Sequence, residues 1–195
     1  IENFSDIEKI EKYGDEVGDY NLQNKIVATI NNNKNVDIEK LKRNFLTNSS
    51  CGVCGKTSLD AIEVIRNGKL DLSYPKINEK IILNSPKLLI SKQSEFSKTG
   101  GIHASSLINN KGEVLAIKED VGRHNALDKL IGHSHKKKLI DNRSQFIACS
   151  GRLNFELVQK ALMSNIGLIA GVGAPTSLAI DLAKRFDMTL LGFVK

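Results

Sequence analysis

Short apolar blocks alternate with amphipathic segments over residues 100–195. Strand-sized apolar runs are found at 114–117, 146–149, 167–172 and 189–194. Between them, apolar residues recur at helical spacing in the segments 122–131, 153–164 and 176–186, and a further helix is predicted around 103–108. Because strand and helix alternate at short intervals, the pattern predicts an α/β domain with a largely parallel sheet covered by helices.

The first hundred residues show a less regular pattern. The run "KIVATI" within 21–30 predicts a strand, and the polar "NNNKN" at 31–35 predicts a loop. Helices are predicted after Asp37 and over 57–68, and an amphipathic helix is predicted after Pro86. We interpret residues 1–35 as the remnant of a smaller N-terminal region and residues 36–195 as the main domain. The chain begins with Ile rather than Met, so a fragment is expected.

Composition narrows the classes of partner. Hydrophobic residues make up 41% of the chain, enough for one sizeable core, and no apolar run approaches the roughly 18 residues that span a bilayer. A cytoplasmic protein without a membrane segment is expected. The net charge of +6 favours anionic partners, but aromatic content of 5% and the absence of Trp argue against nucleic acid.

Two of the three cysteines, Cys51 and Cys54, form a CxxC pair in "SSCGVCGK" before a predicted helix. A structural zinc site needs two further ligands, and no second pair exists. A redox centre and a persulfide carrier remain open, because a helix N-terminus stabilises a thiolate. Two inert buried cysteines are the remaining alternative, although glycines on both sides favour an accessible loop.

A second pair of motifs is similar to the zinc deaminase signature, H-x-E followed by P-C-x-x-C. Here "TGGIHAS" supplies His103, and "ACSGR" supplies Cys149. Ser105 stands where the proton-shuttling Glu would be, and Arg152 stands where a cysteine ligand would be. A zinc-bound water would therefore lack its base and part of its ligand set, so no metal is predicted. His103 is either a structural histidine or a ligand-binding one.

Three polar joints, "KEDVGRHN", "CSGRLNFE" and "GVGAPTS", each follow a predicted strand and open a predicted helix. In an open α/β sheet such joints meet at the carboxyl ends of the strands, where ligands bind. Arg123, His124 and Arg152 could hold phosphates there, together with helix N-terminal amides. Helix capping and an Arg123–Asp120 ion pair are the structural alternatives. Taken together with the positive charge, the joints indicate a polyanionic ligand such as a nucleotide diphosphate.

The chain resembles the FdhD family, the formate dehydrogenase accessory sulfurtransferases. The resemblance is carried from about Cys51 to Lys195 by these segments: "SSCGVCGK", "TGGIHAS", "EDVGRHNALDKLIG", "SGRLNFELVQKA" and "APTSLAIDLAKRFDMTLLGFVK". It implies a three-layer cytidine-deaminase-like domain without the zinc site, plus part of a smaller N-terminal region. It also implies a function, in which a cysteine desulfurase loads sulfur on Cys51, assisted by Cys54. The sulfur then passes to the molybdenum of bis-molybdopterin guanine dinucleotide for the formate dehydrogenase catalytic subunit.

The same resemblance implies further site residues and an assembly. Family members bind the guanine-nucleotide-type cofactor partly through the loop after the last strand, which corresponds here to Val194 and Lys195. His103, Arg123, His124 and Arg152 are the other expected cofactor contacts, and a homodimer is expected. The alternative function is a non-catalytic chaperone that binds the nucleotide cofactor for formate dehydrogenase.

Overall fold

The computed structural model describes residues 6–17, 22–31, 76–141 and 143–195. The chain divides into two compact units, Ile1–Asn48 and Ser49–Lys195. The boundary predicted between residues 35 and 36, and the helices predicted after Asp37 and over 57–68, lie outside the described residues.

The first unit contains an antiparallel hairpin of β1 (Ile7–Val17) and β2 (Leu22–Ile30). The strand predicted from "KIVATI" is thus confirmed. The hairpin is rich in β-branched residues, which favour strands; Ile30 lies opposite Ile7, and Val27 lies opposite Glu11.

The second unit contains a five-stranded sheet and five described helices. Their bounds are α1 (Glu79–Lys92), α2 (Ser94–Thr99), β3 (His103–Asn109), β4 (Val114–Asp120), α3 (Arg123–Lys136), β5 (Gln145–Cys149), α4 (Phe155–Met163), β6 (Leu168–Gly171), α5 (Ser177–Arg185) and β7 (Thr189–Leu191). The strand order is β4-β3-β5-β6-β7. β3 is antiparallel to both β4 and β5, whereas β5, β6 and β7 are parallel. The α/β class is confirmed, but the sheet is mixed rather than largely parallel.

The helix predicted around 103–108 is wrong, because this segment is the strand β3. Five consecutive residues, from Ala104 to Ile108, are buried, as expected for a strand covered on both faces. The preceding Gly100 has φ 65° and ends α2 in the left-handed conformation, so the glycines terminate a helix instead of starting one. Ser105 and Ser106 have lower helix propensity than the strong helix formers, so they do not favour a helix over the strand.

The helix predicted after Pro86 begins earlier, at Glu79. The Asn78 side chain caps it by accepting from the Lys80 amide at 2.9 Å. Pro86 lies inside α1 and lacks the amide that would bond to the Ile82 carbonyl. The Ser85 hydroxyl donates to that carbonyl instead, at 2.7 Å, which explains why the helix tolerates proline.

Gly132 does not end α3 as predicted, because the helix continues to Lys136. It ends in a Schellman turn in which Lys138 has φ 53°, the Lys138 amide donates to His135 and the Leu139 amide donates to Ser134. Leu139 then packs against the hydrophobic core. This packing outweighs the modest helix penalty of a glycine on the exposed side.

Helices cover both faces of the sheet. One hydrophobic cluster joins alternate strand residues such as Leu107 and Ile147 to side chains of α3, α4 and α5. A second cluster joins Ile108, Phe146 and neighbouring strand residues to Leu89 of α1. The three-layer arrangement is thereby confirmed. In its central layer, β4, β5 and β6 end and β3 begins at one edge of the sheet.

Candidate functional site

The three polar joints meet at one edge of the sheet, as the sequence predicts. β4, β5 and β6 run in the same direction, so these strands end at the same edge of the sheet, at residues 120, 149 and 171. β3 runs the opposite way, which places its first residue, His103, directly opposite Asp120 at that same edge. His103 therefore lies at the same edge as the joints, although residues 103–108 form a strand and not the predicted helix.

His103 is held by the joint that follows β5. Its Nδ1 lies 3.5 Å from the Ser150 hydroxyl, which accepts a hydrogen bond from the Ala104 amide at 2.9 Å. A Cβ added at Gly151 would lie only 3.1 Å from the imidazole ring, so glycine is what lets the ring pack there. Burial lowers the pKa of His103, and the charges of Arg123 and Arg152 lower it further. The imidazole is therefore neutral near pH 7.

Arg123 and Arg152 give this edge its positive charge. Arg123 is the first residue of α3, and its Nε is buried without a hydrogen-bond partner among the described residues. Arg152 follows β5 and is exposed. Both charges act on His103, so the edge is electrostatically suited to an anion.

The alternative of an Arg123–Asp120 ion pair is not formed within the described part of the chain. Asp120 instead contacts Lys129 at 2.5 Å and accepts from the Gly122 amide at 2.9 Å and from the Asn125 amide group at 3.2 Å. The hydrogen bond from Lys129 and that from the Gly122 amide lower the pKa of Asp120. Asp120 thus organises the turn before α3 and leaves Arg123 available.

His124 is placed differently from the other predicted cofactor contacts. Its Nε2 lies 2.9 Å from Asn154 Nδ2 and 3.1 Å from Glu156 Oε2. Asn154 is buried, and it also caps α4 by accepting from the Leu157 amide at 3.3 Å. These contacts tie the start of α3 to the start of α4. The structure therefore indicates that His124 positions the two arginine-bearing joints.

Cys149, the one cysteine among the described residues, is a buried thiol at the end of β5. Burial raises its pKa to about 11, partly offset by a contact of 3.6 Å with the Ser105 hydroxyl. A thiol so protonated is a poor nucleophile. Among the described residues no group of three or more His, Cys, Asp and Glu side chains could hold a metal ion.

The end of the chain returns to this edge. Val194 is only 6% exposed and packs in the core, while its amide donates to the Gly171 carbonyl at 3.1 Å. Lys195 is exposed. The cofactor-binding role expected for both residues stays a prediction.

Phe193 is a candidate that the sequence prediction missed. The residue is 64% exposed, and its backbone has φ 57°, a conformation that bulky residues rarely adopt. The Phe193 amide donates to the Gly173 carbonyl at 3.2 Å, so the strained residue is fixed at the joint after β6. The strand-sized apolar run 189–194 includes Phe193, whereas β7 ends at Leu191 and Phe193 lies beyond Gly192.

A cleft of about 360 Å³ also opens at this edge, and no local motif indicated it. It lies between α1, α2 and the turn before β3, and its lining residues are Pro86, Leu89, Ile90, Gln93, Phe96, Gly100, Gly101, Ile102, His103, Ser150 and Val172. His103 thus borders both the cleft and the arginine pair. Cys51 and Cys54 lie outside the described residues, so their predicted roles stay predictions.

The fold and the site define a mixed α/β protein with a cationic sheet edge. A family model described as the FdhD/NarQ family matches residues 1–195, and the chain therefore belongs to this family. This confirms the resemblance drawn from the sequence motifs.

Curated relatives are similar over most of the chain. The sulfur carrier protein FdhD of Streptomyces avermitilis is 43% identical over 156 residues, which is 80% of this chain and 55% of that protein. The sulfur carrier protein FdhD of Sulfolobus acidocaldarius is 39% identical over 195 residues, which is 100% of this chain and 70% of that protein. The chain thus spans about half to two thirds of the length of these relatives.

A solved structure shares the fold. The crystal structure of a protein described as a formate dehydrogenase accessory protein, from Desulfotalea psychrophila, matches with a TM-score of 0.70 and 23% identity. The match covers 100% of this chain and 67% of that one. No helix in the described part of the chain is long and apolar enough to cross a membrane.

Proposed function

We propose that this protein is a sulfur carrier that receives persulfide sulfur from a cysteine desulfurase on Cys51 and delivers it to a molybdenum cofactor. The cofactor, bis-molybdopterin guanine dinucleotide, is here a substrate destined for formate dehydrogenase. The curated relatives of this chain from Streptomyces avermitilis and Sulfolobus acidocaldarius bear the name sulfur carrier protein FdhD. The formate dehydrogenase accessory protein of similar fold supports the choice of client.

The observation that carries the proposal is the convergence of Arg123, Arg152 and neutral His103 at one sheet edge. The two guanidinium charges make this edge suited to a phosphate-rich ligand. The cofactor has diphosphate groups, so its charge matches the edge. Cys149 is buried and its pKa is raised, which leaves the CxxC pair as the better carrier of reactive sulfur.

Loading requires no external oxidant. The Cys51 thiolate attacks the terminal sulfur of the donor persulfide, a new S–S bond forms on Cys51, and the S–S bond of the donor breaks. The donor leaves as its thiolate, and the proton stays on the transferred sulfur. Charge and electron count are the same before and after the step.

Cys54 supplies a balanced way to release the sulfur. Its thiolate attacks the inner sulfur of the Cys51 persulfide, which forms a Cys51–Cys54 disulfide and expels hydrosulfide. The sulfur of hydrosulfide is at the sulfide oxidation state, in which a metal centre accepts it as a ligand. The disulfide must then be reduced by a cellular dithiol before the next cycle.

Mass spectrometry of the intact protein tests the proposal. After incubation with a cysteine desulfurase and cysteine, the protein should gain the mass of one sulfur atom, and Cys51→Ala should not. Cys149→Ala is the matched control and should load normally. Failure of the wild-type protein to gain sulfur would reject the carrier and favour the cofactor-binding chaperone.

A further inference from the structure

A second cavity, of about 480 Å³, lies at the opposite edge of the sheet from the arginine pair. The helices α3 and α4 end beside it, and the strands β5 and β6 begin there. Its lining comes from the end of α3, from the segment before β5 and from the turn after α4. None of the lining residues belongs to the three polar joints or to the cleft beside His103. The cavity is therefore separate from the site described above.

Two buried serines line this cavity. Ser134 is 1% exposed, and its hydroxyl has no hydrogen-bond partner among the described residues. Ser164 is 5% exposed, and its hydroxyl donates to the Lys160 carbonyl at 2.9 Å, so its oxygen can still accept a hydrogen bond. Polar groups buried to this extent normally have a partner, which indicates that the cavity suits a ligand with hydrogen-bonding groups.

The lining also carries charges of both signs that are not paired with each other. Asp141 accepts from the Ser144 hydroxyl at 2.7 Å and from the Arg143 amide at 3.1 Å. These hydrogen bonds lower the pKa of Asp141, so its carboxylate is ionised near pH 7. Lys138 is exposed, and it forms no ion pair with Asp141 or with another carboxylate in the described part of the chain. One anion and one cation thus remain available to a ligand.

The helix ends decide between kinds of charged ligand. The C-terminal ends of α3 and α4 carry partial negative charge, which stabilises an ammonium group and disfavours a simple anion. Lys138 and His135 also line the cavity, and the charge of Lys138 disfavours a simple cation. Because the cavity carries both signs of charge, it matches a ligand that carries both as well. Ile140 is the one apolar residue of the lining, so a large apolar ligand would gain little there.

We propose that this cavity binds a free α-amino acid as its zwitterion, with the ammonium group at Asp141 and the carboxylate at Lys138. The hydroxyls of Ser134 and Ser164 supply further hydrogen bonds to the ligand. The volume lies within the range of roughly 300–1,000 Å³ found for small-molecule sites, so a whole amino acid fits without selection by side-chain size. The inference goes beyond the proposed function and does not depend on it.

A titration with L-alanine, followed by NMR of the backbone amides, tests the site. We expect the amide resonances of Ser134, Ser164 and Asn165 to shift, and those of Gly122 and Gly151 at the opposite edge to stay in place. L-alanine methyl ester lacks the carboxylate, and N-acetyl-L-alanine lacks the ammonium group. Each derivative should bind about tenfold more weakly than L-alanine, as expected for the loss of one charged hydrogen bond.

Charge-removing variants assign each end of the ligand to its residue. Lys138→Gln and Asp141→Asn should each lower the affinity for L-alanine about tenfold. Lys138→Gln should not weaken the methyl ester further, because the ester already lacks the carboxylate. Asp141→Asn should likewise not weaken N-acetyl-L-alanine further. Lys137→Gln and Asp181→Asn are the matched controls, because both residues are exposed and lie outside the lining.

Ser134→Ala tests the unpartnered hydroxyl. Because this hydroxyl has no partner among the described residues, its removal should leave the stability of the free protein unchanged or slightly raised. The same variant should lose about fivefold in L-alanine affinity, as expected for one neutral hydrogen bond. Urea denaturation without ligand and the NMR titration measure the two effects. Unchanged L-alanine affinity in Ser134→Ala would contradict the contact.

Several results would overturn the proposal. If millimolar L-alanine shifts no resonance of the lining, the cavity does not bind amino acids. If the ester and the N-acetyl derivative bind as well as L-alanine, the site does not recognise a zwitterion. Should Asp141→Asn fail to fold, the comparison of L-alanine with N-acetyl-L-alanine decides the ammonium contact alone. Sulfur loading is measured on Cys51 and does not involve this cavity, so failure here would leave the proposed function unaffected.

Discussion

At the scale of single residues, the site depends on the His103 imidazole, which packs against Gly151 where a larger residue would not fit. Gly151 allows His103 to lie beside Ser150, and the two arginines act on the same ring. The sequence indicated His103, Arg123 and Arg152 because polar residues follow apolar strands. It did not indicate that His124 is bound by Asn154 and Glu156, because that contact joins two helices 30 residues apart.

Gly151→Ala should displace the His103 ring, since the added methyl group would lie 3.1 Å from it. We expect weaker diphosphate binding and a changed chemical shift of the His103 Hε1 proton, measured by NMR. Gly132→Ala is the control. It should leave both readouts unchanged and stabilise α3 by about 0.5–1 kcal/mol. An unshifted His103 resonance in Gly151→Ala would contradict the packing argument.

His103 should make both stability and ligand binding depend on pH. Because the folded protein lowers its pKa, the unfolded chain binds more protons just below pH 6.5. The contribution to stability is present above that value and is lost as the pH falls through the lowered pKa. An anion bound to the arginines favours the imidazolium, so diphosphate affinity should rise as the pH decreases over the same window. Calorimetry from pH 8 to pH 5.5 measures this rise, and His103→Gln should flatten it.

At the scale of secondary-structure elements, the sequence patterns located most helices and strands, but neighbouring elements set several of their identities and ends. α4 and α5 lie where apolar spacing predicts them, and the Asn154 and Thr176 side chains cap their starts. β3 was mistaken for a helix because a strand buried on both faces has no polar alternation. α3 runs past Gly132 because Leu139 packs on the core.

The side-chain cap of α4 should contribute more to the free energy of unfolding than the side-chain cap of α5. Asn154→Ala removes the acceptor for the Leu157 amide and also the contact with His124, so we expect a loss of about 1–2 kcal/mol in the free energy of unfolding. Thr176→Ala is the control, because Thr176 caps α5 through the Ala179 amide alone and should cost about 1 kcal/mol. Urea denaturation measures both variants. Additive effects of Asn154→Ala and His124→Ala would argue against the coupling.

At the scale of the whole molecule, the proposal assigns sulfur loading and cofactor binding to different residues. Cys51→Ala should abolish the gain of sulfur but retain GDP affinity. Arg152→Gln should load sulfur normally and lose about tenfold in GDP affinity, as expected for one charged hydrogen bond. Mass spectrometry and calorimetry on the same preparations measure the two properties. Loss of both properties in either single variant would contradict the separation.

The sequence by itself determined the α/β class, the family, the CxxC pair and the polar joints, because local periodicity and short motifs depend on residues close together in the chain. Only the tertiary structure decided that β3 runs antiparallel, that His103 reaches the joints, and that α1 and α2 enclose an apolar cleft beside them. These features depend on packing between segments far apart in sequence. The cleft in particular joins residues 86–103 to Ser150 and Val172, a proximity that no local pattern encodes.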